Sequence, residues 1–379
     1  VSKHDDHYSF EEEFHAQDRK ADRKDRKHAV SRDRSKFKKT DQDKLKKRAL
    51  EASANTPLDE DNLRGRVLAI TPEGIVVERD HISYLCSLKG VLKKESTRIK
   101  NLVAVGDFVQ FTLKEKDSGV ISFVEPRHSI LSRSDPLSRH KEQLIAVNID
   151  QVLITCSVVL PPIKPFLVDR YIIAAKKGNM QPIIVVNKID LFDSPPDLVD
   201  GVFLKAEKET YLSFLQTYRD LDIPVYPVSV TTGEGIEALK LAMQGKMSVF
   251  SGQSGVGKSS LINTIMGLNL RTGGIVGKTW KGTHTTSTSH LIPLEGTGFC
   301  IDTPGIKSFG LWDLSAEEIQ SYFTEFEPYI NSCKYLNCSH LQEPECAVQK
   351  ALAEGKISPL RFASYSALIS GLSEENRPR

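Results

Sequence analysis

Eight consecutive residues, Gly252-Gln253-Ser254-Gly255-Val256-Gly257-Lys258-Ser259, satisfy the phosphate-binding loop pattern in full. The glycines let backbone N–H groups turn inward around a phosphate without Cβ clashes. Lys258 places a point charge on the β and γ oxygens, and Ser259 offers its hydroxyl to Mg²⁺. The loop sits between a strand-like run, Met247–Ser251, and a helical run, Ser260–Met266, the context that the pattern requires. A second segment, Asn187-Lys188-Ile189-Asp190, closes the apolar run Pro182–Val186, where open α/β sheets expose their ligand loops. Its Asp190 carboxylate suits guanine, because it can accept from both the ring N1–H and the exocyclic amino group, and adenine presents neither donor. Asn187 is expected on the other edge of the base, with the Lys188 stem over the ring. Pro227-Val228-Ser229-Val230 ends another run, so Ser229 and Val230 are candidates to give backbone N–H groups to the guanine carbonyl. In Asp302-Thr303-Pro304-Gly305, Asp302 would hold Mg²⁺ through water and the Gly305 N–H would sense the γ-phosphate.

The order of these parts is permuted. In most GTPases the phosphate loop comes first, whereas here Asn187–Asp190 precedes it by about sixty residues, a rearrangement that the close termini of compact domains permit. Ras-like enzymes orient the attacking water with a Gln after the Asp-x-x-Gly glycine. Here that position is Ile306, which cannot hydrogen-bond. His284, in the Gly-rich stretch Gly273–Thr286, is the best replacement, since a histidine can accept or orient a water proton near neutral pH. Thr286 beside it is a candidate Mg²⁺ ligand in the GTP-bound state. Downstream, Cys333, Cys338, His340 and Cys346 offer three thiolates and an imidazole within 14 residues. That set makes a closed tetrahedral Zn²⁺ shell with no open position for a catalytic water, so the zinc is expected to be structural.

The elements that must position these residues follow from the pattern of the rest of the chain. With 379 residues, two to three domains are expected. Apolar residues make up 39%, and no apolar run approaches the roughly 20 residues of a spanning helix, so no membrane association is expected. Six cysteines spread over this length do not form a disulfide framework, and a cytoplasmic protein is the expectation. Cys86, Cys156 and Cys300 lie within strand-like runs and read as core residues. The net charge of +2 conceals a basic segment, Gln17–Arg48, with 15 Lys/Arg against 6 Asp and few large apolar residues. Residues 1–58 therefore read as a disordered basic tail, suited either to nucleic-acid phosphates or to solubility alone. Short β-branched runs at Leu63–Ile70, Gly74–Glu78, Ile82–Leu88, Asp107–Leu113 and Gly119–Val124 suggest a small five-stranded barrel over 59–126. Beyond Pro126, strand-like runs alternate with helical patterns such as Phe166–Lys177, which Gly178 would end in a left-handed turn; this predicts a parallel α/β domain over 127–312. Residues 313–379 form the metal-binding unit. No heptad pattern is visible, and a monomer is expected.

Taken together, Asn187–Asp190 before Gly252–Ser259, then Gly282-Thr283-His284-Thr285-Thr286, Asp302–Gly305 and the Cys333/Cys338/His340/Cys346 set resemble the bacterial small-subunit-dependent GTPase family RsgA (YjeQ) over residues 62–379. Thr283 stands where the family usually has an arginine. The resemblance implies a multidomain chain: an OB-type β-barrel, a circularly permuted P-loop GTPase domain and a small, mostly helical zinc-binding domain. It also implies a catalytic histidine at His284, binding to the 30S subunit and 16S rRNA, and subunit-stimulated hydrolysis of GTP to GDP late in 30S maturation. The residues themselves leave two other readings open, a nucleotide-gated RNA-binding module whose hydrolysis is incidental, and an ATPase or small-molecule kinase using the same loop.

Overall fold

The computed structural model describes residues 62–89, 102–115, 117–135, 138–267, 290–294, 298–302 and 315–375. The N-terminal five strands are β1 (Leu63–Ile70), β2 (Ile75–Arg79), β3 (Ile82–Leu88), β4 (Phe108–Glu115) and β5 (Ser118–Val124). They run in the order β1-β2-β3-β5-β4, and β4 pairs back onto β1, closing an OB-type barrel. Alternation along each strand sends Val67, Val77, Cys86, Val109, Phe111 and Ile121 inward to one apolar core.

The barrel joins the next domain through a hydrogen-bonded corner. Arg127 donates to both oxygens of the fully buried Asp107 at 2.7 and 2.8 Å, and Asp107 also accepts from the Ala104 N–H. Asn148 bridges the two units by donating to the Gly106 carbonyl at 3.0 Å and accepting from the His128 N–H. A hairpin of β6 (Ile130–Asp135) and β7 (Ser138–Val147) projects from this corner.

The central domain follows as β8 (Gln151–Ser157), α1 (Pro165–Lys177), β9 (Gln181–Asn187), α2 (Gly201–Arg219), β10 (Val225–Pro227), α3 (Ile236–Met243), β11 (Met247–Gly252), α4 (Lys258–Met266), β12 (His290–Pro293) and β13 (Phe299–Asp302). Strands β10-β9-β8-β11-β13 are parallel and β12 is antiparallel at the end of that set. The sheet is covered on both faces, so its strands read as continuous apolar runs. Val152 and Ile154 of β8 face the core under α1 and α2, while Leu153 faces the core under α3 and α4. Gly178 does not adopt the expected left-handed conformation. It has φ −79°, and the left-handed residue is Asn179 at φ 60°. The glycine is needed for close approach instead, because a Cβ there would lie 2.6 Å from the Ile130 carbonyl oxygen of the hairpin.

The C-terminal unit contains α5 (Ala316–Ser321), a 3₁₀ turn (Thr324–Phe326), α6 (Glu327–Ile330), α7 (Ala347–Ala353) and α8 (Pro359–Glu375). Its core takes in Ile173 from α1, so the two units share apolar surface. At the centre of that junction the buried Arg361 of α8 pairs with the buried Asp169 of α1 and donates to Glu325 at 2.6 Å. The Tyr218 hydroxyl donates to the same Asp169 carboxylate at 2.7 Å, and the Arg361 guanidinium lies 4.1 Å from the Phe323 ring centroid. Among the described residues no helix is long and apolar enough to cross a membrane.

Breaking one arm of a buried pair leaves the other charge uncompensated, at a typical cost of about 3–5 kcal/mol. Asp169→Ala should therefore lower the unfolding free energy by about that amount and separate the C-terminal transition from that of the central domain. Urea denaturation followed by far-UV circular dichroism checks this; an unchanged midpoint would show that the junction is held by Ile173 and its apolar neighbours alone.

Candidate functional site: a guanine-nucleotide cleft and a thiolate cluster

The carboxyl ends of β8, β9, β10 and β11 converge on one side of the sheet, where an open α/β fold binds its ligands. The phosphate loop turns from β11 into α4 there, with Ser254 and Gly255 exposed at the mouth and Val256 buried beneath. Gly257 begins α4 at φ 92°, and a Cβ on it would stand 2.4 Å from the Asn187 amide nitrogen. Lys258 donates to the Gly252 and Gln253 carbonyls at 2.7 and 2.6 Å, which folds its ammonium into the cradle. Ser259 is exposed on the first turn of α4 and Ser260 follows it, half-buried.

Asn187 has a partner within the protein. Its buried amide donates to the Val256 carbonyl at 2.8 Å, which ties the end of β9 to the phosphate loop, while its Oδ1 has no partner among the described residues. Lys188, in the left-handed region at φ 63°, reaches the Gly255 and Leu160 carbonyls, each at 2.7 Å. Burial lowers the pKa of its ammonium from the ordinary lysine value, with Asp190 pulling the other way. Asp190 and Ile189 open a 3₁₀ turn, and the Ser229 hydroxyl donates to the Asp190 carboxylate at 2.6 Å. Ser229 thus acts through its side chain. Its backbone N–H is engaged by the Glu234 carbonyl at 2.9 Å and is not spare for a guanine carbonyl, whereas Val230 lies half-buried in the turn that follows.

In the C-terminal unit, the ligand atoms of Cys333, Cys338, His340 and Cys346 all lie within 4.8 Å of one another. The His340 Nδ1 is 3.6 Å from the Cys333 Sγ and 3.4 Å from the Cys346 Sγ, and those two sulfurs are 3.9 Å apart. A tetrahedron with metal–sulfur bonds of about 2.3 Å and metal–nitrogen bonds of about 2.0–2.1 Å has edges of about 3.6–3.8 Å, so the four atoms already bracket a metal position. Burial pushes the Cys338 thiol up to about 12, with the neighbouring sulfurs adding to the shift. His340 sits at φ 63° in a loop gathered by Glu343, whose carboxylate accepts from the N–H groups of Ser339, Leu341 and Gln342 at 2.7, 3.1 and 3.2 Å. Burial works against that carboxylate, yet these bonds hold its pKa down at about 2. Tyr365 closes the loop from α8 by donating to the Ser339 carbonyl at 2.9 Å.

Residues 124–312 match the family described as RsgA GTPase. A relative from Chlorobaculum parvum, named "Small ribosomal subunit biogenesis GTPase RsgA", is 43% identical over 283 residues, which is 72% of this chain and 86% of that protein. The chain belongs to the RsgA GTPase family. A second RsgA relative, from Bacteroides fragilis, is 38% identical over 307 residues, 80% of this chain and 93% of its own length. Among solved structures, YjeQ from Thermotoga maritima matches with a TM-score of 0.65 and 29% identity, covering 84% of this chain and 100% of that one. YloQ, described as a circularly permuted GTPase, matches with a TM-score of 0.64 and 25% identity, covering 86% and 99%.

For this RsgA-family GTPase, several expected site residues lie outside the described residues: His284, Thr286 and Gly305, together with the basic tail. Asp302 ends β13, and its backbone pairs with that of His290. Sequence reasoning missed Glu343 and Tyr365 behind the thiolate cluster, and it missed the Asn187 and Lys188 contacts with the phosphate loop. Removing the Asn187 amide leaves the Val256 carbonyl buried without its donor, a loss of about 1–3 kcal/mol. Asn187→Ala should weaken GDP binding by about 5- to 100-fold while Asp190 still selects guanine. Titration with a fluorescent GDP analogue, competed with GDP and ADP, reads both effects; undiminished affinity would show that the phosphate loop holds its shape without this amide.

Proposed function

We propose that the chain hydrolyses GTP to GDP and phosphate during maturation of the small ribosomal subunit, and that binding to the 30S subunit and its 16S rRNA stimulates turnover. The observation that carries this reading is one cleft in which Asp190, aimed by Ser229, is tied through Asn187 and Lys188 to a complete phosphate loop. A guanine reader and a phosphate cradle so joined act on one nucleotide. The names of the relatives, which specify small-subunit biogenesis, support the choice of partner.

In this mechanism Asp190 takes the guanine N1–H and amino group, and the backbone N–H groups of Gly252–Ser259 surround the phosphates. Lys258 exchanges its carbonyl partners for phosphate oxygens. Ser259, Thr286 and Asp302, the last through water, are the residues that would hold Mg²⁺, which neutralises charge on the β and γ oxygens. His284 orients the attacking water, a role that Ile306 cannot take. Catalysis of this kind is mostly positioning, so a slow free enzyme and a fast subunit-bound one follow if the subunit completes the arrangement. GTP turnover measured with and without purified small subunits tests the proposal. Large stimulation is expected, with His284→Ala binding GTP normally and losing at least about tenfold of the stimulated rate. Full stimulated turnover in that variant would make the histidine a bystander, and preference for ATP would remove the guanine reading of Asp190.

We further propose zinc as the occupant of the Cys333/Cys338/His340/Cys346 cluster. Three sulfurs and one nitrogen form the soft, closed donor set that selects it, and the metal would link the loops that carry the four ligands. Metal analysis should find one zinc per chain. Cys338→Ser should lose it and destabilise the C-terminal unit while GDP affinity stays within about twofold, since metal-site folding energy is local to that unit. Intact protein without stoichiometric zinc would defeat this assignment.

A further inference from the structure

The first barrel strand is also a strand of the GTPase sheet. Over its first half β1 pairs with β4, from Leu63↔Phe111 to Arg66↔Phe108. Its register against β2 then shifts between Val67 and Ala69, and past this bulge the edge that faced β4 faces β12, at Ala69↔His290. A bulge bends a strand and re-aims its side chains. Here Leu68, the extra residue, packs against the core of the GTPase domain, which includes Leu291 of β12 and Ile301 of β13, while Val67 stays in the barrel core.

Two residues before the bulge, Arg66 holds the same junction from its other end. Its guanidinium lies 4.3 Å from the ring centroid of Phe108 in the barrel and 5.2 Å from that of Phe299, the first residue of β13. Among the described residues its Nε has no hydrogen-bond partner; besides attraction to Asp150 and Glu78, its guanidinium supplies stacking on two rings from two domains. The strand is separated from β13 by β12 alone. Arg66 lies against the start of β13, and at the end of β13 Ala69, His290 and Asp302 form one row across three neighbouring strands.

We propose that Arg66 is a positioning residue for GTP hydrolysis, locking the barrel strand onto β12 and β13 and so fixing the two strand ends from which Asp302 and the His284 segment depart. This rests on the proposed roles of Asp302 and His284. The inference separates rate from affinity. The residues that grip the nucleotide lie at β9, β10 and β11, on the far side of β13 from β1, whereas the strand that Arg66 seats leads to the γ-phosphate end. Anything that shifts the barrel against the sheet then acts on turnover through the same contact.

The test uses the full chain and compares Arg66→Lys, which keeps the charge and loses the planar stack, with Phe299→Leu, which keeps apolar volume and loses the ring, and Phe299→Tyr, which keeps the ring. Arg64→Ala is the control, because Arg64 stacks on Phe108 at 4.3 Å and pairs with Glu125, whereas among the described residues it is Arg66 that stacks on Phe299. Subunit-stimulated GTP turnover, affinity for a fluorescent GDP analogue and thermal melting are read for each. Arg66→Lys and Phe299→Leu should slow turnover by about tenfold or more, with GDP affinity within about twofold. Phe299→Tyr and Arg64→Ala should turn over like the unsubstituted chain. Unchanged turnover in Arg66→Lys and Phe299→Leu overturns the inference alone, as does a parallel fall of turnover, affinity and melting temperature, the mark of general destabilisation. An unsubstituted chain that binds GDP and hydrolyses no GTP, with or without subunits, overturns the hydrolase reading and this one with it.

Discussion

A phosphate loop grips with its backbone, so it has few side chains with which to hold itself in shape. In this chain the holding is done from outside, by the Asn187 amide on the Val256 carbonyl and the Lys188 ammonium on the Gly255 carbonyl. Both donors belong to the segment that also carries Asp190. The Asn187–Asp190 segment and the phosphate loop are consequently one piece of structure, although β8 lies between their parent strands in the sheet. Asn187 is buried, where an amide–carbonyl bond is stronger than in water and an orphaned carbonyl is costly. Lys188 also takes the Leu160 carbonyl, which draws the loop after β8 into the same knot.

The two accessory units attach to different parts of this core, and by different physics. The C-terminal unit docks on α1 through a charged cluster: Arg361 lies between Asp169 of the central domain and Glu325 of its own, with Tyr218 completing the Asp169 carboxylate. Such a pair contributes little net stability compared with an apolar contact of the same shape, but it tolerates few orientations. The barrel attaches instead through main-chain pairing, a bulge and ring stacking at the β12 end of the sheet. Helix α1 touches both worlds. Its Tyr171 lines a small pocket with Gln253 and Val256 of the phosphate loop, and its Asp169 meets Arg361.

How much of this was legible in the sequence depended on whether a residue's partner was implied by its neighbours. The buried parallel strands were readable as apolar runs, because both faces of β8 and β9 are covered. The barrel strands were readable as short β-branched runs. The four-residue β12 was too short for any period, and the hairpin β6–β7 was passed over because its strands are polar on either side of Asp135-Pro136, with apolar residues only at their far ends. Asp190 and the four metal-site residues carried their chemistry in type and spacing. Asn187 did so only in part, since its amide can address a ligand and a carbonyl together and the carbonyl partner is set by the fold. Ser229 was read as a backbone donor to the base, and its side-chain bond to Asp190 was not, because the turn through Glu234 that occupies its N–H has no signature of its own. Glu343 and Tyr365 were invisible for a related reason: they support the thiolate loop from outside the ligand spacing.

The permuted order has a structural consequence at the sheet's end. Strand β12 is short and antiparallel, and a strand left at an edge exposes unpaired N–H and C=O groups to any other chain. In this protein that edge is covered by β1, so one continuous sheet of eleven strands among the described residues runs from the guanine side to the far wall of the barrel. A strand can serve two sheets only if it changes partners along its length. The bulge at Leu68 is what allows this, because an in-register β1 would keep Leu68 and Ile70 on one face, opposite Val67. With the extra residue, Leu68 enters the GTPase core and Ile70 returns to the barrel core. Removing the barrel would therefore expose an open edge and strip apolar cover from the core beside β12 and β13, so the two domains share one folded boundary rather than a linker.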